Sequence, residues 1–315
     1  MDAPTATPAA RRKPRAKAPR LRPRLGLVCV THSDDCRFRT ITRARYLTLD
    51  EDQRRAALAQ VYWDNLARLH WALGFCHRRG IRLYRVTSSL FPLSDEPPGE
   101  AVLRSMAANL SSFGRRAQRL GIRVLMHPDQ FVVLNSESPA VVNTSRIILR
   151  KHGLAMDLLG LPRSTWAAVI IHGGKSGRAK ELADEIRRLP REVRRRLVLE
   201  NDEYAFSAKE ILAVCRAAGV PMVFDAHHHV VHEKLDSYEH PGVRAMVAAA
   251  RTTWPDPAWQ VVHLSNGKDG FNDRNHSDFI TAVPGAYRNV PWIEVEARGK
   301  ELAIDRLRAD WPVAG

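Results

Sequence analysis

The sequence predicts a single (β/α)8 TIM barrel, an α/β fold, because eight short apolar segments alternate with longer segments of helical period. Eight such units in about 290 residues match this barrel in number and length. A doubly wound parallel sheet is the alternative. No linker interrupts residues 24–312, so we expect one domain there.

The predicted strands follow one another at regular intervals. In chain order they are RLGLVCVT, IRLYRVTSS, IRVLMHP, WAAVIIHGG, LVLEND, PMVFDAHHH, WQVVHLSN and PWIEVEAR. The predicted helices, rich in Ala, Leu and Arg, are 52–79, 101–120, 138–160, 207–219, 241–252 and 299–308. Gly80 and Gly219, directly before the second and sixth strands, are typical of helix ends.

The N-terminal segment differs from the rest in composition. Residues 1–24 hold eight Lys or Arg, one acid and five prolines, so residues 1–23 are expected to form a disordered basic tail. The net charge of +15 suggests an anionic partner, with nucleic acid the first candidate. An arginine-rich composition that serves solubility is the alternative explanation.

Cysteine usage and hydropathy exclude two classes of protein. The four cysteines show neither C-x-x-C nor zinc-site spacing, which argues against a disulfide-stabilised secreted domain. No apolar segment reaches the length of about 20 residues that a membrane helix needs, and the N-terminus lacks the apolar region of a secretory signal. We expect a cytoplasmic protein without a membrane partner.

Potential metal ligands end six of the eight predicted strands. In a TIM barrel the C-terminal strand ends form one rim, where active sites lie. A single histidine after a strand is more often structural than a ligand, but six candidates on one rim indicate a shared site. Residue alternation along the strands points these side chains inward. They are His127, His172, Glu200, Asp225, His263 and Glu296.

This donor set suits Mn²⁺, Zn²⁺ or Fe²⁺ better than a thiolate site or a calcium site. Six donors exceed the need of one ion, so two or three ions bridged by Glu200 or Glu296 are expected, an arrangement used for displacement at phosphate esters. One histidine of the run after Asp225 would add a ligand. Strand alternation favours His227 and His229, but the strand ends here and the choice stays open.

The segments MHPDQF, IIHGGK, LENDE, FDAHHH, VHLSNG and IEVEARGKE resemble, in order and spacing, the motifs of the UV damage endonuclease family (UVDE or UvsE). The resemblance covers about residues 24–302, and RLYRVTSSLFPLS looks like the second-strand segment of that family. It implies a TIM barrel that nicks double-stranded DNA immediately 5′ of cyclobutane pyrimidine dimers and 6-4 photoproducts. Metal-dependent hydrolysis would leave a 3′-hydroxyl and a 5′-phosphate.

The resemblance also implies a cofactor and a setting. The cofactor is a cluster of two or three divalent ions, Mn²⁺ by preference and Zn²⁺ as the alternative. The protein is expected to be a monomer associated with the bacterial nucleoid. The implied metal ligands are His127, His172, Glu200, Asp225, His228, His263, His276 and Glu296.

Two of these ligands come from the resemblance alone. It selects His228 from the histidine run and adds His276 in the loop segment DRNHSD. Residues expected to act in catalysis are Glu200, Glu296, His263 and Lys300.

Residues expected to touch DNA fall into two sets. Gln130 and Phe131 match a damage-probing pair that can read Gln-Tyr in the family. Lys175, Arg298 and Lys300 follow the fourth and eighth strands, where a phosphate backbone would pass. Solvated surface cations are the alternative interpretation of these three residues.

The chain departs from the family pattern at two further places. LSDEPP replaces a family S-H-P segment, so either Asp95 or Glu96 substitutes for a histidine ligand or that ion is held differently. Val261 stands where the family has a lysine that can be carboxylated.

Three rival functions remain open at this point. They are an abasic-site endonuclease of the same barrel type, a sugar isomerase or epimerase-like barrel, and a non-enzymatic nucleic-acid-binding protein that uses the tail.

Overall fold

The strands close into a barrel, which confirms the predicted fold. The computed structural model describes residues 22–33, 35–128 and 131–311. All strands are parallel and hydrogen-bond in chain order, and the first also pairs with the last, so a doubly wound sheet is excluded. The strands are β1 (Arg24–Val28), β2 (Leu83–Val86), β3 (Arg123–Met126), β4 (Val169–His172), β5 (Leu197–Glu200), β6 (Met222–Asp225), β7 (Val261–Leu264) and β8 (Trp292–Val295).

Helices surround the barrel and connect its strands. Gly80 and Gly219 take φ angles of +64° and +68° at the two predicted helix ends, a conformation that glycine adopts without strain. The α-helices in the described residues are α1 (Arg43–Leu47), α2 (Glu51–Arg78), α3 (Pro97–Ser105), α4 (Ala107–Arg119), α5 (Pro139–Leu158), α6 (Ala179–Arg188), α7 (Arg191–Arg194), α8 (Ala208–Ala218), α9 (Ala226–His232), α10 (Pro241–Arg251) and α11 (Lys300–Asp310).

Several connections differ from the sequence prediction, which also lacks the short helix α1. Helices α6 and α7 were not predicted, because charged residues dominate residues 175–196 and the buried face of α6 rests on Leu182, Ala183 and Ile186. The predicted helix 101–120 is divided in two at Met106.

The extension of the sixth strand into the histidine run is wrong. Strand β6 ends at Asp225, and α9 begins at the next residue. The reason is local: the Asp225 carboxylate accepts a hydrogen bond of 2.8 Å from the backbone N–H of His228 and so caps the helix. Strand alternation therefore has no bearing on the three histidines.

The interior of the barrel is closed at its N-terminal end. The buried Arg123 guanidinium donates hydrogen bonds of 2.7 to 2.8 Å to the carbonyls of Thr165, Trp166 and Trp259. Above it lies an apolar layer from alternate strand positions, which leaves the C-terminal mouth as the open end. The layer consists of Leu83, Leu125, Ala168, Ile170, Val198, Val223, Val261 and Trp292.

The predicted tail falls mostly on residues 1–21, which lie outside the described residues, so that prediction is not tested. The described barrel continues to Trp311. Within the described part of the chain, no helix is both long and apolar enough to cross a membrane. All four cysteines are free thiols.

Candidate metal centre

The six strand-end residues predicted from the sequence converge at the mouth of the barrel. The strand register explains this, because His172 pairs with Glu200 and Asp225 pairs with His263 on neighbouring strands. Their donor atoms form two groups, and within each group one donor atom per residue lies within 4.8 Å of the others. The first group is His127, His172 and Glu200, and the second is Glu200, Asp225, His263 and Glu296.

Glu200 is the residue that joins the two groups. Its Oε2 lies 3.1 Å from Nε2 of His127 and 3.8 Å from Nε2 of His172. Its Oε1 lies 2.7 Å from Nδ1 of His263. A carboxylate with imidazoles on both oxygens has the geometry of a bridging ligand between two ions.

Glu294 supports the cluster from below and was missed as a site residue. It lies on β8, two residues before Glu296, and its side chain also points into the barrel. Its Oε2 is 2.6 Å from Nε2 of His263. Both side chains are completely buried. Carboxylates that hold the far nitrogen of a ligating imidazole are common at metal sites. The signal in the sequence was the Glu-x-Glu spacing, which places both acids on the inner face.

Arg85 was also not predicted as a site residue, because an arginine within a strand is usually exposed on the surface. It projects inward from β2 and forms an ion pair with Glu296, and its guanidinium lies 3.9 Å from Glu294. This fixed positive charge offsets part of the cost of burying several carboxylates together.

The cluster perturbs the pKa values of its members in opposite directions. Burial alone lowers the pKa of His263, but Glu200, Glu296 and Glu294 raise it well above the ordinary value. Burial alone raises the pKa of Glu200, and the facing imidazoles of His263, His172 and His127 hold it well below the ordinary value. Positive charge is therefore needed to keep these carboxylates ionised, and divalent ions can supply it.

The donor set fits divalent metal ions. It contains imidazole nitrogens and carboxylate oxygens without a thiolate, as Mn²⁺ and Zn²⁺ sites do. In addition, Nδ1 of His172 is buried and has no hydrogen-bond partner among the described residues. A buried polar nitrogen of this kind is costly unless something coordinates it.

The three consecutive histidines of α9 have different surroundings. Nδ1 of His228 lies 3.5 Å from Oε1 of Glu200, at the cluster. Burial alone lowers the pKa of His228, but the nearby acids, Asp225 first, raise it to about 9. His227 instead contacts the Tyr238 hydroxyl at 2.8 Å. His229 packs on Phe224, away from the cluster.

His276 reaches the cluster from the long loop after β7. Its Nδ1 lies 3.9 Å from Oε2 of Glu296, and a bridge between Gly267 and His276 holds the loop in place. Thus all eight residues named as ligands by the resemblance surround the same region. Sequence reasoning without the resemblance had no signal for His276, because loop residues carry no periodicity.

Above the cluster lies a cleft of about 490 Å³. Phe131 lines it and is 70% exposed, so its ring is open to a ligand in the cleft. Gln130 lies outside the described residues. Further lining residues are Cys29, Arg85, Thr87, Ser88, Glu203 and Arg274.

The three cations predicted to meet DNA differ in position. Lys175 and Arg298 do not line the cleft; their side chains are 52% and 61% exposed and lie 3.4 Å from Glu137 and 3.7 Å from Asp278. Lys300 does not line the cleft either, but it is partly buried, which lowers the pKa of its amine, and it interacts electrostatically with two residues that do line it, Cys29 and Glu296.

The expected substitutes for a histidine ligand are not at the cluster. Asp95 pairs with Lys151 at 3.2 Å, and Glu96 pairs with Arg43 at 2.7 Å, so both carboxylates are turned toward cations of the outer helices. Substitution by either carboxylate is therefore not supported, which leaves the other expectation, that this ion is held differently. Val261 lies in the apolar layer under the cluster.

The fold and the site together define a TIM barrel with a candidate centre for several divalent ions at its mouth. A family model described as UV-endonuclease UvdE matches residues 23–313. The chain belongs to this family, which confirms the resemblance seen in the sequence motifs.

Individual relatives agree with this assignment. A UV DNA damage endonuclease from Nostoc sp. strain PCC 7120 is 54% identical over 291 residues, which covers 92% of this chain and 90% of the relative. One from Deinococcus radiodurans is 51% identical over 289 residues, with 91% and 95% covered. The crystal structure of SacUVDE superposes with a TM-score of 0.76 at 26% identity and covers 91% of this chain and 98% of that one.

Proposed function

We propose that the protein is a DNA repair endonuclease that nicks double-stranded DNA immediately 5′ of cyclobutane pyrimidine dimers and 6-4 photoproducts. The cut would be a metal-dependent hydrolysis of one phosphodiester bond that leaves a 3′-hydroxyl and a 5′-phosphate. The observation that carries this proposal is the pair of donor groups joined by Glu200 under an open cleft. Membership of the UvdE family supports the choice of substrate.

The residues that would hold the ions follow from the geometry. Glu200 would bridge, with His127 and His172 on one side and Asp225, His263 and Glu296 on the other. His228 and His276 would complete the ligand set from α9 and the long loop. Mn²⁺ is the first candidate and Zn²⁺ the second. Bound divalent ions supply a Lewis acid for the phosphate oxygens and an activated water as nucleophile.

The protein's own residues would position these groups and balance their charge. Glu294 fixes the ring of His263, and Arg85 fixes Glu296. Lys300, which interacts electrostatically with Cys29 and Glu296 of the cleft, would add a positive charge behind the cleaved phosphate. No protein nucleophile is required, because the activated water would take that role. Burial raises the pKa of the cleft-lining Cys29 thiol, which makes it a poor nucleophile at neutral pH.

Damage recognition would depend on the cost of extruding bases. A dimerised pyrimidine pair stacks and pairs poorly, so it leaves the duplex more easily than normal bases do. The exposed ring of Phe131 would then stack in the gap, with Gln130 meeting the bases opposite. Phe131 lacks the hydroxyl of a tyrosine, so it would act through stacking alone.

The test uses an end-labelled duplex with a single cyclobutane dimer, beside abasic and undamaged duplexes of the same sequence. Each is incubated with the full chain, with and without Mn²⁺. We expect a Mn²⁺-dependent nick directly 5′ of the dimer. Cutting of the abasic duplex alone would assign the protein to abasic-site repair, and no cutting by folded, metal-loaded protein would contradict the nuclease function.

The basic residues 1–23 would contribute non-specific affinity for DNA, because their charge is strongly positive. Deleting them is expected to weaken binding at moderate salt while incision at the dimer persists. A protein that acted through this segment alone would lose its activity on deletion.

A further inference from the structure

Tyr204 and Arg274 form an exposed stack at the edge of the cleft. The guanidinium carbon of Arg274 lies 4.3 Å from the centroid of the Tyr204 ring. Tyr204 follows β5 and is 59% exposed, and Arg274, in the loop after β7, lines the same cleft as the metal cluster. A cation–π contact at an exposed site contributes little stability, so stability alone does not account for the pair.

The segments that carry Arg274 and Phe131 leave opposite strands of the barrel. Phe131 follows β3 and Arg274 follows β7, and in a closed barrel of eight strands in chain order β3 and β7 are opposite one another. Both side chains line the same cleft. A DNA strand that crosses the mouth above the cluster would therefore meet both side chains.

The loops that carry the stack are held in place. The Asp202 carboxylate accepts hydrogen bonds from the backbone N–H groups of Tyr204 at 2.8 Å and Phe206 at 3.3 Å. The carbonyl of Asp273, directly before Arg274, lies 2.7 Å from Nε2 of the buried His227. His227 thus anchors the Arg274 loop to α9, which also carries His228. Groups fixed in this way bind a ligand with a smaller entropy cost.

The charge of Arg274 is free for a ligand. Across residues 22–33, 35–128 and 131–311, its guanidinium contacts the Tyr204 ring, and no carboxylate lies within 4.0 Å of it. Lys175 and Arg298, by contrast, each have a carboxylate within 4.0 Å. A guanidinium stacked by its face keeps its N–H edges available, and these edges match two phosphate oxygens.

We propose that Arg274, held on the ring of Tyr204, binds a backbone phosphate of the DNA strand that lies in the cleft, which Phe131 also lines. Tyr204 is the positioning residue of this pair. The proposal rests on the proposed function, since it takes DNA as the ligand. Phosphate contacts set the register of a protein on DNA and carry no base information, so this contact would serve damaged and undamaged DNA alike.

The test compares Arg274→Gln, Tyr204→Ala and Tyr204→Phe with the wild type. Binding to a dimer-containing and an undamaged duplex is measured over a range of salt concentrations, and incision kinetics are measured with Mn²⁺. For Arg274→Gln we expect about tenfold weaker binding to both duplexes and a salt slope smaller by about one. KM should rise while kcat at saturating DNA is maintained.

The tyrosine variants separate positioning from contact. Tyr204→Ala should show part of the Arg274→Gln loss, and Tyr204→Phe should recover the affinity because it keeps the ring. Arg79→Gln is the matched control. Arg79 also stacks on an aromatic ring, that of Phe75 at 4.9 Å, but it lies at the end of α2 on the opposite face of the barrel. Its loss should leave binding to both duplexes unchanged.

Unchanged affinity and salt slope in Arg274→Gln would overturn the inference. A loss confined to the dimer duplex would overturn it as well, because it would make Arg274 a reader of damage. If the wild type bound DNA without cutting the dimer duplex, and Arg274→Gln still lowered affinity and slope, the proposed function would fail while this inference stood.

Discussion

Nε2 of His263 lies 2.6 Å from Oε2 of Glu294, and both side chains are completely buried in the barrel. This contact assigns the two nitrogens of the ring. Nε2 donates to Glu294, so Nδ1 is directed at Glu200 and the candidate ligands around it. Glu294 therefore controls both the orientation and the basicity of His263 without belonging to either donor group.

Glu294→Gln is expected to weaken metal binding. The amide keeps the size of the side chain but loses the negative charge that polarises His263, and loss of such a partner typically costs about 10- to 100-fold in metal affinity. Incision measured against Mn²⁺ concentration should show the corresponding increase in the metal needed, with activity largely recovered at excess Mn²⁺. Calorimetric titration with Mn²⁺ gives the same affinity without catalysis.

The control for this variant is Glu185→Gln. Glu185 is a buried carboxylate on the outer helix α6, where it pairs with Arg146 and Arg188. Its substitution should lower stability and leave the metal affinity as in the wild type. Equal metal affinities for Glu294→Gln and wild type would show that Glu294 has no role in the centre.

Arg85→Met is expected to destabilise the metal-free protein. The arginine pairs with Glu296 in a buried setting, and removal of one partner of a buried ion pair costs about 3 kcal/mol because the other charge stays behind. Divalent ions offset the same carboxylates, so the difference from wild type should shrink at saturating Mn²⁺. Thermal unfolding in EDTA and in Mn²⁺ measures the stability difference between Arg85→Met and wild type without and with metal. A stability difference that Mn²⁺ did not change would contradict the shared role of Arg85 and the ions.

The strand ends show what the sequence can predict about this site. His127, His172, Glu200, Asp225, His263 and Glu296 were found because a barrel brings the ends of all its strands to one rim, so local pattern alone was sufficient. Glu294 and Arg85 were not found, because their roles depend on which residues of other strands they contact. For Glu294 the register of β7 with β8 decides this, and for Arg85 the approach of β2 to the end of β8 decides it.

The histidine run illustrates a different limit. Its helical conformation depends on a cap, in which the Asp225 carboxylate accepts a hydrogen bond from the backbone N–H of His228. The sequence alone does not show whether an aspartate at this position ends a strand or also begins a helix. Family resemblance indicated His228 without explaining it. The loop positions of His276 and Arg274 depend on long-range contacts, among them His227 with Asp273, that no local pattern encodes.

Phe131→Ala is expected to reduce selectivity for damaged DNA. Stacking of a base on an aromatic side chain contributes about 1–3 kcal/mol, so kcat/KM on the dimer duplex should fall about tenfold or more. Because the ring is largely exposed, thermal stability should not change. Phe131→Tyr keeps the ring and should retain activity. Trp63→Ala, at an exposed aromatic residue on α2, is the control and should change neither kcat/KM nor thermal stability. Equal kcat/KM for Phe131→Ala and wild type would mean that Phe131 has no role in damage recognition.

Asp157→Asn tests the electrostatics that hold the start of β5, the strand that presents Glu200. Asp157 Oδ1 lies 2.7 Å from the guanidinium of the fully buried Arg196, and Arg163 also binds the carboxylate. Partial burial alone raises the pKa of Asp157, but its bonds to Arg163 and Arg196 hold it below the ordinary value.

A carboxyl group whose pKa is lower in the folded than in the unfolded protein stabilises the fold at pH values above its unfolded pKa of about 3.9. This contribution is lost as the pH falls through the folded pKa. The wild type should therefore exceed Asp157→Asn by about 2 kcal/mol at pH 7 and by progressively less below about pH 4. Urea unfolding in EDTA at several pH values measures the difference. Asp184→Asn is the control: its bond to the exposed Lys180 also lowers the pKa of the Asp184 carboxyl, but solvent screens this pair, so the difference from wild type should be small at every pH. A difference for Asp157→Asn that stayed constant down to the acid limit would mean that the Asp157 charge is not what stabilises the start of β5.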